Sequence, residues 1–269
     1  MVTLNVLTIT QSLSFIMRHH ASVARFGDGE IDLIAGASIP YQDYDPTLAA
    51  RLRTLLETPS TPQLLICMPD VFHHTERYNQ FAQDFWQAHF THYEKLYQEI
   101  QWAPVYGSTF ISRPYIDLLD KTPATAAFRQ LKQLWAHRDV LLVEGATSRS
   151  GVGNDLFADA QTITRIICPA KNAYAKLEVI EAAIRTYGQD KLVIVMLGPT
   201  AKLIAADLSQ IGMQIIDLGH IDSEYEWYQM GATTKVKLPH KHTAEFNYDT
   251  DIIYETNQDY DNQIVKRIQ

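Results

Sequence analysis

Cysteine is scarce in this chain, and long apolar runs are missing. The two cysteines, Cys67 and Cys168, lie far apart and form no Cys-x-x-Cys pair, which excludes a thiolate zinc site of the usual spacing and a disulfide framework. We therefore expect a reducing, cytoplasmic location. The longest later apolar run, at 192–197, is far shorter than the roughly 20 residues of a membrane-spanning helix. The N-terminus also lacks the basic segment of a signal peptide.

An excess of positive charge is lacking as well. The 23 Lys and Arg residues face 31 Asp and Glu residues, so the formal net charge is −8. A chain of this balance has no general attraction for nucleic acid or for an anionic membrane surface. An anionic ligand must therefore be bound by a few local groups.

What the sequence does contain is an alternation of short apolar runs with longer helical patterns. The runs lie at 22–26, 64–68, 140–144, 164–168, 192–197 and 213–217. The main helical patterns lie at 45–57, 76–100, 125–138 and 174–188. This order predicts a Rossmann-like α/β fold, with a mainly parallel sheet and helices on both faces.

We expect one domain over residues 1–231 and a polar extension over 232–269. Three states of this extension stay open: packed on the domain, partly disordered, or packed on a neighbouring subunit of a homo-oligomer. In the pattern at 76–100, we expect His89 to be solvated. The core contacts of that pattern are assigned to Phe81, Phe85, Trp86 and Phe90.

The first strand is followed by RFGDGE, residues 25–30. Glycines at 27 and 29 permit a tight turn, and Asp28 and Glu30 could then converge on one hard cation through their oxygens. In the alternative interpretation, Asp28 caps a helix beginning near residue 29, and Glu30 favours the N-terminus of that helix. The motif alone leaves both interpretations open.

Two later strand ends carry possible phosphate-binding groups. In the glycine-rich segment 145–157 the candidates are Ser148, Arg149, Gly151, Gly153 and Asn154. Asn154 is expected to cap a helix starting at Asp155, although a plain glycine-rich turn remains open because the spacing matches no standard phosphate loop. After the strand at 192–197, Thr200 and Lys202 are a second candidate pair. The alternative there is an ordinary helix start with Lys202 in solvent.

The densest group of chemical side chains follows the last predicted strand, where DLGHIDSEYEW spans residues 217–227. If the helix begins near Asp222, then Asp222 and Glu226 share a face, while Glu224 points elsewhere. The alternative is a solvated acidic helix start with its aromatic side chains in the core.

Six motifs, taken in order, resemble the GT-D type glycosyltransferases, a bacterial family. They are RFGDGE, TFISRPY (109–115), VEGATSRSGVGNDLF (143–157), RIICPAKNAY (165–174), LGPTAKLIAADL (197–208) and DLGHIDSEYEW. The resemblance runs from about residue 22 to residue 231. It implies a Rossmann-like fold and the transfer of a sugar, characteristically glucose from UDP-glucose, to a glycan or glycoprotein. It also implies a divalent metal bound through an Asp-x-Glu motif.

By this resemblance, Asp28 and Glu30 hold Mn²⁺ or Mg²⁺. As a separate inference, we expect His220 to complete the metal shell. Arg25 or Arg113 is expected to add positive charge near the diphosphate of the UDP-sugar. A bound cation would neutralise the charge that develops on the leaving diphosphate.

If the enzyme inverts the anomeric carbon, a carboxylate must accept the proton of the acceptor hydroxyl. We expect Glu224 to be this base, with Asp222 and Glu226 as the other candidates. Two further functions stay open. A metal-dependent nucleotide-sugar pyrophosphatase or phosphoesterase would use the same acids to activate water at phosphorus, and a non-catalytic protein would only bind the nucleotide sugar.

Overall fold

The centre of the molecule is a sheet of eight strands. The structure, a computed structural model, describes residues 2–246, 249 and 251–269. The strands are β1 (Ser22–Arg25), β2 (Leu64–Met68), β3 (Gly107–Ser108), β4 (Asp139–Gly145), β5 (Thr162–Cys168), β6 (Leu192–Met196), β7 (Ile215–Asp217) and β8 (Ile264–Arg267). Their order across the sheet is β3-β2-β1-β7-β6-β4-β5-β8. Neighbouring strands pair in parallel.

Helices cover both faces of this sheet. They are α1 (Ile9–His19), α2 (Asp28–Ile34), α3 (Pro46–Glu57), α4 (Gln80–His92), α5 (Glu94–Glu99), α6 (Ala124–Lys132), α7 (Leu177–Tyr187), α8 (Pro199–Ser209), α9 (Ile221–Gln229) and α10 (Gln258–Gln263). Alternate residues of each strand point to opposite faces. In β4, Leu141 and Val143 pack with α2, α3, α7 and α8, whereas Val140 and Leu142 pack with α1, α6 and α9. The predicted fold class is confirmed.

Each of the six apolar runs coincides with a strand to within two residues at either end. The reason is that strands buried on both faces leave a nearly continuous apolar signal. The two edge strands were not predicted. β3 has only two residues, and β8 has mostly exposed side chains, so neither carries that signal. β8 extends the sheet beyond β5, where Ile268 N–H donates to Ile167 O over 2.8 Å.

Two helix predictions were wrong. The pattern at 76–100 divides into α4 and α5 at Tyr93, and α4 begins only after Asn79, whose side chain accepts a hydrogen bond from Ala82 N–H. Residues 151–159 form turns instead of a helix from Asp155. There the Asn154 side chain accepts from Leu156 N–H over 3.0 Å, which is a local turn contact that competes with helix formation.

No helix in the described part of the chain is both long and apolar enough to cross a membrane.

Candidate active site

A cleft of about 610 Å³ opens at the carboxyl ends of the strands. Parallel strands deliver all their following loops to the same edge of the sheet, which is where ligands bind in open α/β folds. The segments that leave β1, β3, β4, β5, β6 and β7 all contribute lining residues. The cleft therefore gathers most of the segments that carry sequence motifs.

The bottom of the cleft, which we call the charged floor, consists of Arg25, Asp28, Glu30 and Lys202. Arg25 is buried, and its guanidinium donates to Asp217 O (2.7 Å), Asp217 Oδ1 (3.2 Å) and Ser112 Oγ (2.6 Å). These contacts anchor Arg25 inside the protein. Its predicted contact with a diphosphate stays a prediction.

Lys202 is an internal cation of the charged floor. Its Nζ lies 2.9 Å from Glu30 Oε1 and 3.2 Å from Asp217 Oδ2, with only 6% of the side chain exposed. It also donates to Gly198 O over 3.0 Å. The interpretation that placed Lys202 in solvent is wrong, because two buried carboxylates require a cation between them.

The two acids of RFGDGE occupy different environments. Glu30 Oε2 accepts from Gly27 N–H over 2.8 Å, as an acid in the first turn of α2, while its other oxygen contacts Lys202. Asp28 is the exposed member of the pair and lines the cleft. Although its side chain opens into the cleft, the protein around the cleft partly desolvates Asp28; this desolvation and, next, the charge of Glu30 raise the pKa of Asp28 to about 6.

Asp28 is a suitable ligand for a hard divalent cation. Mg²⁺ is often held by only one or two carboxylates together with substrate phosphates and water. Glu30 could join Asp28 only by loosening its contact with Lys202. Among the described residues, no three His, Cys, Asp or Glu side chains form a ready-made metal group.

His220 enters the same cleft from the end of β7. It follows Gly219, whose φ is +49° and where a Cβ would lie 2.3 Å from Arg25 Nη2. The imidazole packs against Tyr41 and His242, at 6.2 and 5.4 Å between ring centroids. Burial and then the charge of His242 lower the pKa of His220 well below 6.5. His220 is therefore neutral at pH 7, as a metal ligand must be.

One side of the cleft is made mainly of small residues and backbone, and we call it the small-residue wall. It consists of Gly145, Thr147, Ser148, Ser150, Pro169, Ala170 and Lys171. These residues leave β4 and β5, and they include the first half of the glycine-rich segment. Ser148 is thus brought to the cleft as the sequence predicts.

The second half of the glycine-rich segment lies elsewhere. Gly151, Gly153 and Asn154 line a separate cavity of about 210 Å³. Arg149 adopts φ +46° and donates to Glu255 O over 2.7 Å, with its guanidinium 4.8 Å from the ring centroid of Tyr260. The C-terminal segment thus holds this half of the loop.

The structure leaves these groups, and Thr200, outside the cleft lining. Thr200 is fully buried in the first turn of α8. The predicted phosphate contacts of Arg149, Gly151, Gly153, Asn154 and Thr200 stay predictions, and each would require a rearrangement of its surroundings.

The opposite side of the cleft, which we call the aromatic wall, consists of Phe81, Phe85, Trp86, Phe110, Arg113, Asp117, Lys235 and Glu245. Arg113 Nη2 lies 3.1 Å from Asp117 Oδ2 and 2.7 Å from Glu245 Oε1. Burial opposes charge on Glu245, but Arg113 and Lys235 outweigh it and lower the pKa of Glu245 to about 2. Arg113 is therefore paired within the protein, and its predicted role near the diphosphate stays a prediction.

The assignment of core residues in α4 was partly wrong. Phe81 is 65% exposed and Phe85 is 40% exposed, whereas His89 is buried. Ala82, Trp86 and His89 share the buried helix face. Burial lowers the pKa of His89 to about 4, and its Nε2 lies 3.2 Å from Tyr97 Oη.

The three acids of α9 also occupy distinct positions. Asp222 and Glu226 share a face as predicted, since Asn154 Nδ2 donates to both, over 2.9 and 2.7 Å. Lys241 Nζ lies 2.9 Å from each carboxylate. Of the three, Asp222 lines the cleft.

Glu224 is 1% exposed and lies behind the aromatic wall. Its Oε1 accepts from Tyr115 N–H (2.7 Å) and Ile116 N–H (2.9 Å). Burial raises the pKa of Glu224 to about 7, although Arg113 opposes this. A general base must reach the proton that it accepts, and Glu224 does not line the cleft in this conformation. Its assignment as the base stays a prediction.

Two site residues escaped the sequence analysis. Asp217, the last residue of β7, contacts both Arg25 and Lys202 beneath the charged floor. An acid directly after two isoleucines at the end of a buried strand could have identified it as a candidate. Lys241 pairs with Asp222 and Glu226 from an irregular segment that carries no local pattern.

Comparison with known proteins identifies glycosyltransferases as relatives of this chain. The family profile described as "Glycosyltransferase GT-D fold" matches residues 23–246. The chain is 58% identical over 265 residues to "Probable glycosyl transferase Gly" of Streptococcus gordonii and 51% identical over 260 residues to "Glycosyltransferase GlyD" of Streptococcus pneumoniae serotype 4. These alignments cover 98% and 97% of this chain but 39% and 32% of the relatives, so the chain spans about a third to two-fifths of their length.

Solved structures match over almost the whole chain. "A New Glycosyltransferase (DUF1792) from Streptococcus sanguinis" superposes with a TM-score of 0.97 at 57% identity, covering 99% of this chain and 100% of that one. "The highly conserved domain of unknown function 1792 has a distinct glycosyltransferase fold" gives a TM-score of 0.97 at 58% identity, covering 99% of this chain and 96% of that one.

Proposed function

The chain belongs to the glycosyltransferases of the GT-D fold, and from this membership we propose that it transfers a hexose, with glucose expected, from a UDP-sugar to a glycan or glycoprotein acceptor in a metal-dependent reaction. The observation that carries the proposal is the open carboxylate of Asp28 on the charged floor, between two chemically different walls. A metal bound through Asp28 would meet a donor on one wall and an acceptor on the other.

The small-residue wall is the better side for the donor diphosphate. Small side chains leave room for a diphosphate to lie close to the main chain. Ser148 adds a hydroxyl donor and Lys171 adds a positive charge, whereas the Thr147 hydroxyl already bonds to Asp249. Contacts of this kind suit a doubly charged diphosphate.

Mn²⁺ or Mg²⁺ held by Asp28 would neutralise the charge of the departing UDP. Within the chain, the ion pair with Lys202 fixes the position of the Glu30 carboxylate. The neutral imidazole of His220 lines the same cleft. In the transfer, the bond between the anomeric carbon and the diphosphate breaks, a bond to the acceptor oxygen forms, and the acceptor proton passes to a base. Asp222, Glu224 and Glu226 are the candidates to compare for that proton transfer.

The test is to incubate the protein with Mn²⁺ and a panel of UDP- and GDP-sugars, without acceptor, and to identify the products. Slow donor hydrolysis to UDP and free sugar is expected, with UDP-glucose the best donor. Asp28→Asn should abolish the metal-dependent rate and weaken Mn²⁺ binding, whereas Asp84→Asn, an exposed control on α4, should change neither.

Formation of UMP and sugar phosphate would instead identify a pyrophosphatase. Binding of UDP-sugars without turnover, also in the presence of saccharide acceptors, would identify a binding protein. Full activity of Asp28→Asn would end the metal assignment.

A further inference from the structure

We propose that the aromatic wall is the acceptor subsite, and that it binds a saccharide whose terminal pyranose ring packs on Phe81 and Phe85. The inference rests on the proposed glycosyl transfer and adds the residues that select the acceptor. Its starting point is the 65% and 40% exposure of these two rings, which line the cleft that also contains Asp28. Exposed aromatic rings beside a polar cleft are typical of ligand-binding surfaces.

The two rings form one surface. Phe81 and Phe85 are four residues apart on α4, so they lie on the same face of the helix. The ring of Trp86 meets Phe85 edge-on at 5.3 Å, and His89 stacks on Phe85 at 6.2 Å. Because Trp86 and His89 are buried, the platform is held from behind. Its outer side is exposed to the cleft, with Lys235 Nζ over part of the Phe81 ring.

The rim of the platform is polar and nearly balanced in charge. Lys235 Nζ lies 5.0 Å from the ring centroid of Phe81 and 3.3 Å from Asp117 Oδ1, and it also contacts Glu245. Arg113 pairs with the same two carboxylates. Two cations and two carboxylates thus form one paired group that lines the same cleft as the two rings and contacts Phe81 through Lys235. This group offers both donors and acceptors of hydrogen bonds.

This combination matches a pyranose better than a nucleotide. A pyranose has an apolar C–H face that can pack on an aromatic ring and hydroxyl groups that both donate and accept hydrogen bonds. The two cations of this rim, Arg113 and Lys235, are already paired with Asp117 and Glu245, so a nucleoside diphosphate would gain little attraction from them. The aromatic wall therefore suits a neutral sugar, and the donor is left to the small-residue wall.

The experiment measures saccharide binding separately from donor binding. Saturation-transfer NMR on the whole chain with methyl β-glucoside, methyl β-galactoside and methyl N-acetyl-β-glucosaminide identifies the best probe and its Kd. Phe81→Ala/Phe85→Ala should raise that Kd about tenfold or more and leave the UDP Kd in Mn²⁺ within about twofold. Phe81→Tyr/Phe85→Tyr should retain binding because the rings remain.

Tyr44→Ala is the matched control, because Tyr44 is a 43% exposed aromatic residue outside the cleft lining. It should leave both Kd values unchanged, and equal melting temperatures should show that all variants fold. An equal loss of UDP affinity in the alanine variant would assign the platform to the nucleobase and overturn the proposal.

Unchanged saccharide affinity in the alanine variant, or no binding of any of the three sugars to the unaltered protein, would also overturn it. Failure of the proposed transfer would be seen separately. It would appear as absent UDP-sugar turnover, while the NMR titration still reports on the platform.

Discussion

The two walls of the cleft differ in how they are built. The small-residue wall comes from loops directly after β4 and β5 and contains mostly glycine, alanine, serine and threonine. The aromatic wall combines α4, the segment after β3 and residues 235–245, which are far apart in sequence. The first wall is a local product of strand ends, whereas the second exists only because distant segments meet. Experiments that disturb the walls one at a time, and the floor between them, can test this division.

The largest effect is expected at the floor that both walls share. Lys202→Met leaves Glu30 and Asp217 without the cation that lies 2.9 and 3.2 Å away. Removing one partner of a buried ion pair costs about 3–5 kcal/mol of unfolding free energy. Urea denaturation should show this loss, whereas Lys176→Met, an exposed lysine at the start of α7, should change stability by less than about 0.5 kcal/mol. Unchanged stability of Lys202→Met would show that the ion pairs of Lys202 with Glu30 and Asp217 do not stabilise the fold.

The second effect concerns the support behind the aromatic wall. The pKa of Glu224 is 4.5 ordinarily and about 7 in the fold, so between these values the folded state binds more protons than the unfolded state. Glu224 therefore makes its full contribution to the free energy of unfolding below pH 4.5. This contribution, about 3 kcal/mol, is lost as the pH rises to 7. Glu224→Gln should remove that slope in denaturation curves measured from pH 4.5 to 8, while Glu178→Gln on α7 should not.

The Glu224→Gln variant also tests the general base. Loss of a base should lower sugar transfer by roughly a hundredfold, with UDP binding intact. If Glu224→Gln retains sugar transfer but loses the pH dependence of stability, then Glu224 only positions the segment at Tyr115 and Ile116. Asp222→Asn tests the same role as general base for Asp222, the acid of α9 that lines the cleft.

A pair of lysines on opposite walls sharpens the comparison directly. Lys171→Ala on the small-residue wall should weaken UDP binding about tenfold, since a charge-assisted contact contributes about 1.5–3 kcal/mol. Lys235→Ala on the aromatic wall should change UDP affinity less than about twofold. Titration calorimetry with Mn²⁺ measures both. A reversed result would exchange the donor and acceptor sides.

The smallest effect is expected in the half of the glycine-rich segment that faces the C-terminal residues. Arg149→Ala removes the hydrogen bond to Glu255 O and should cost about 1–2 kcal/mol of stability. From its position outside the cleft, we expect UDP affinity to change less than about threefold. A contact with the diphosphate, as the sequence predicts, would instead weaken UDP binding about ten- to hundredfold, and calorimetry distinguishes the two.

The sequence by itself determined the fold class and the edge of the sheet where the site lies. Strands buried on both faces must be apolar along their length, so six of the eight were visible, and parallel strands place their following motifs at one edge. Asp28, Glu30, His220, Ser148 and Lys202 reach that edge accordingly.

Only the tertiary structure decided which way the side chains face and what they meet. Helical spacing grouped Phe81 and Phe85 with the core, but burial of a helix face depends on the neighbour that packs on it, and here that face borders the cleft. The partners of Glu30, Arg149 and Glu224 come from segments 172, 106 and 109 residues away. A contact between such distant segments leaves no local period, because it arises from how the whole chain folds.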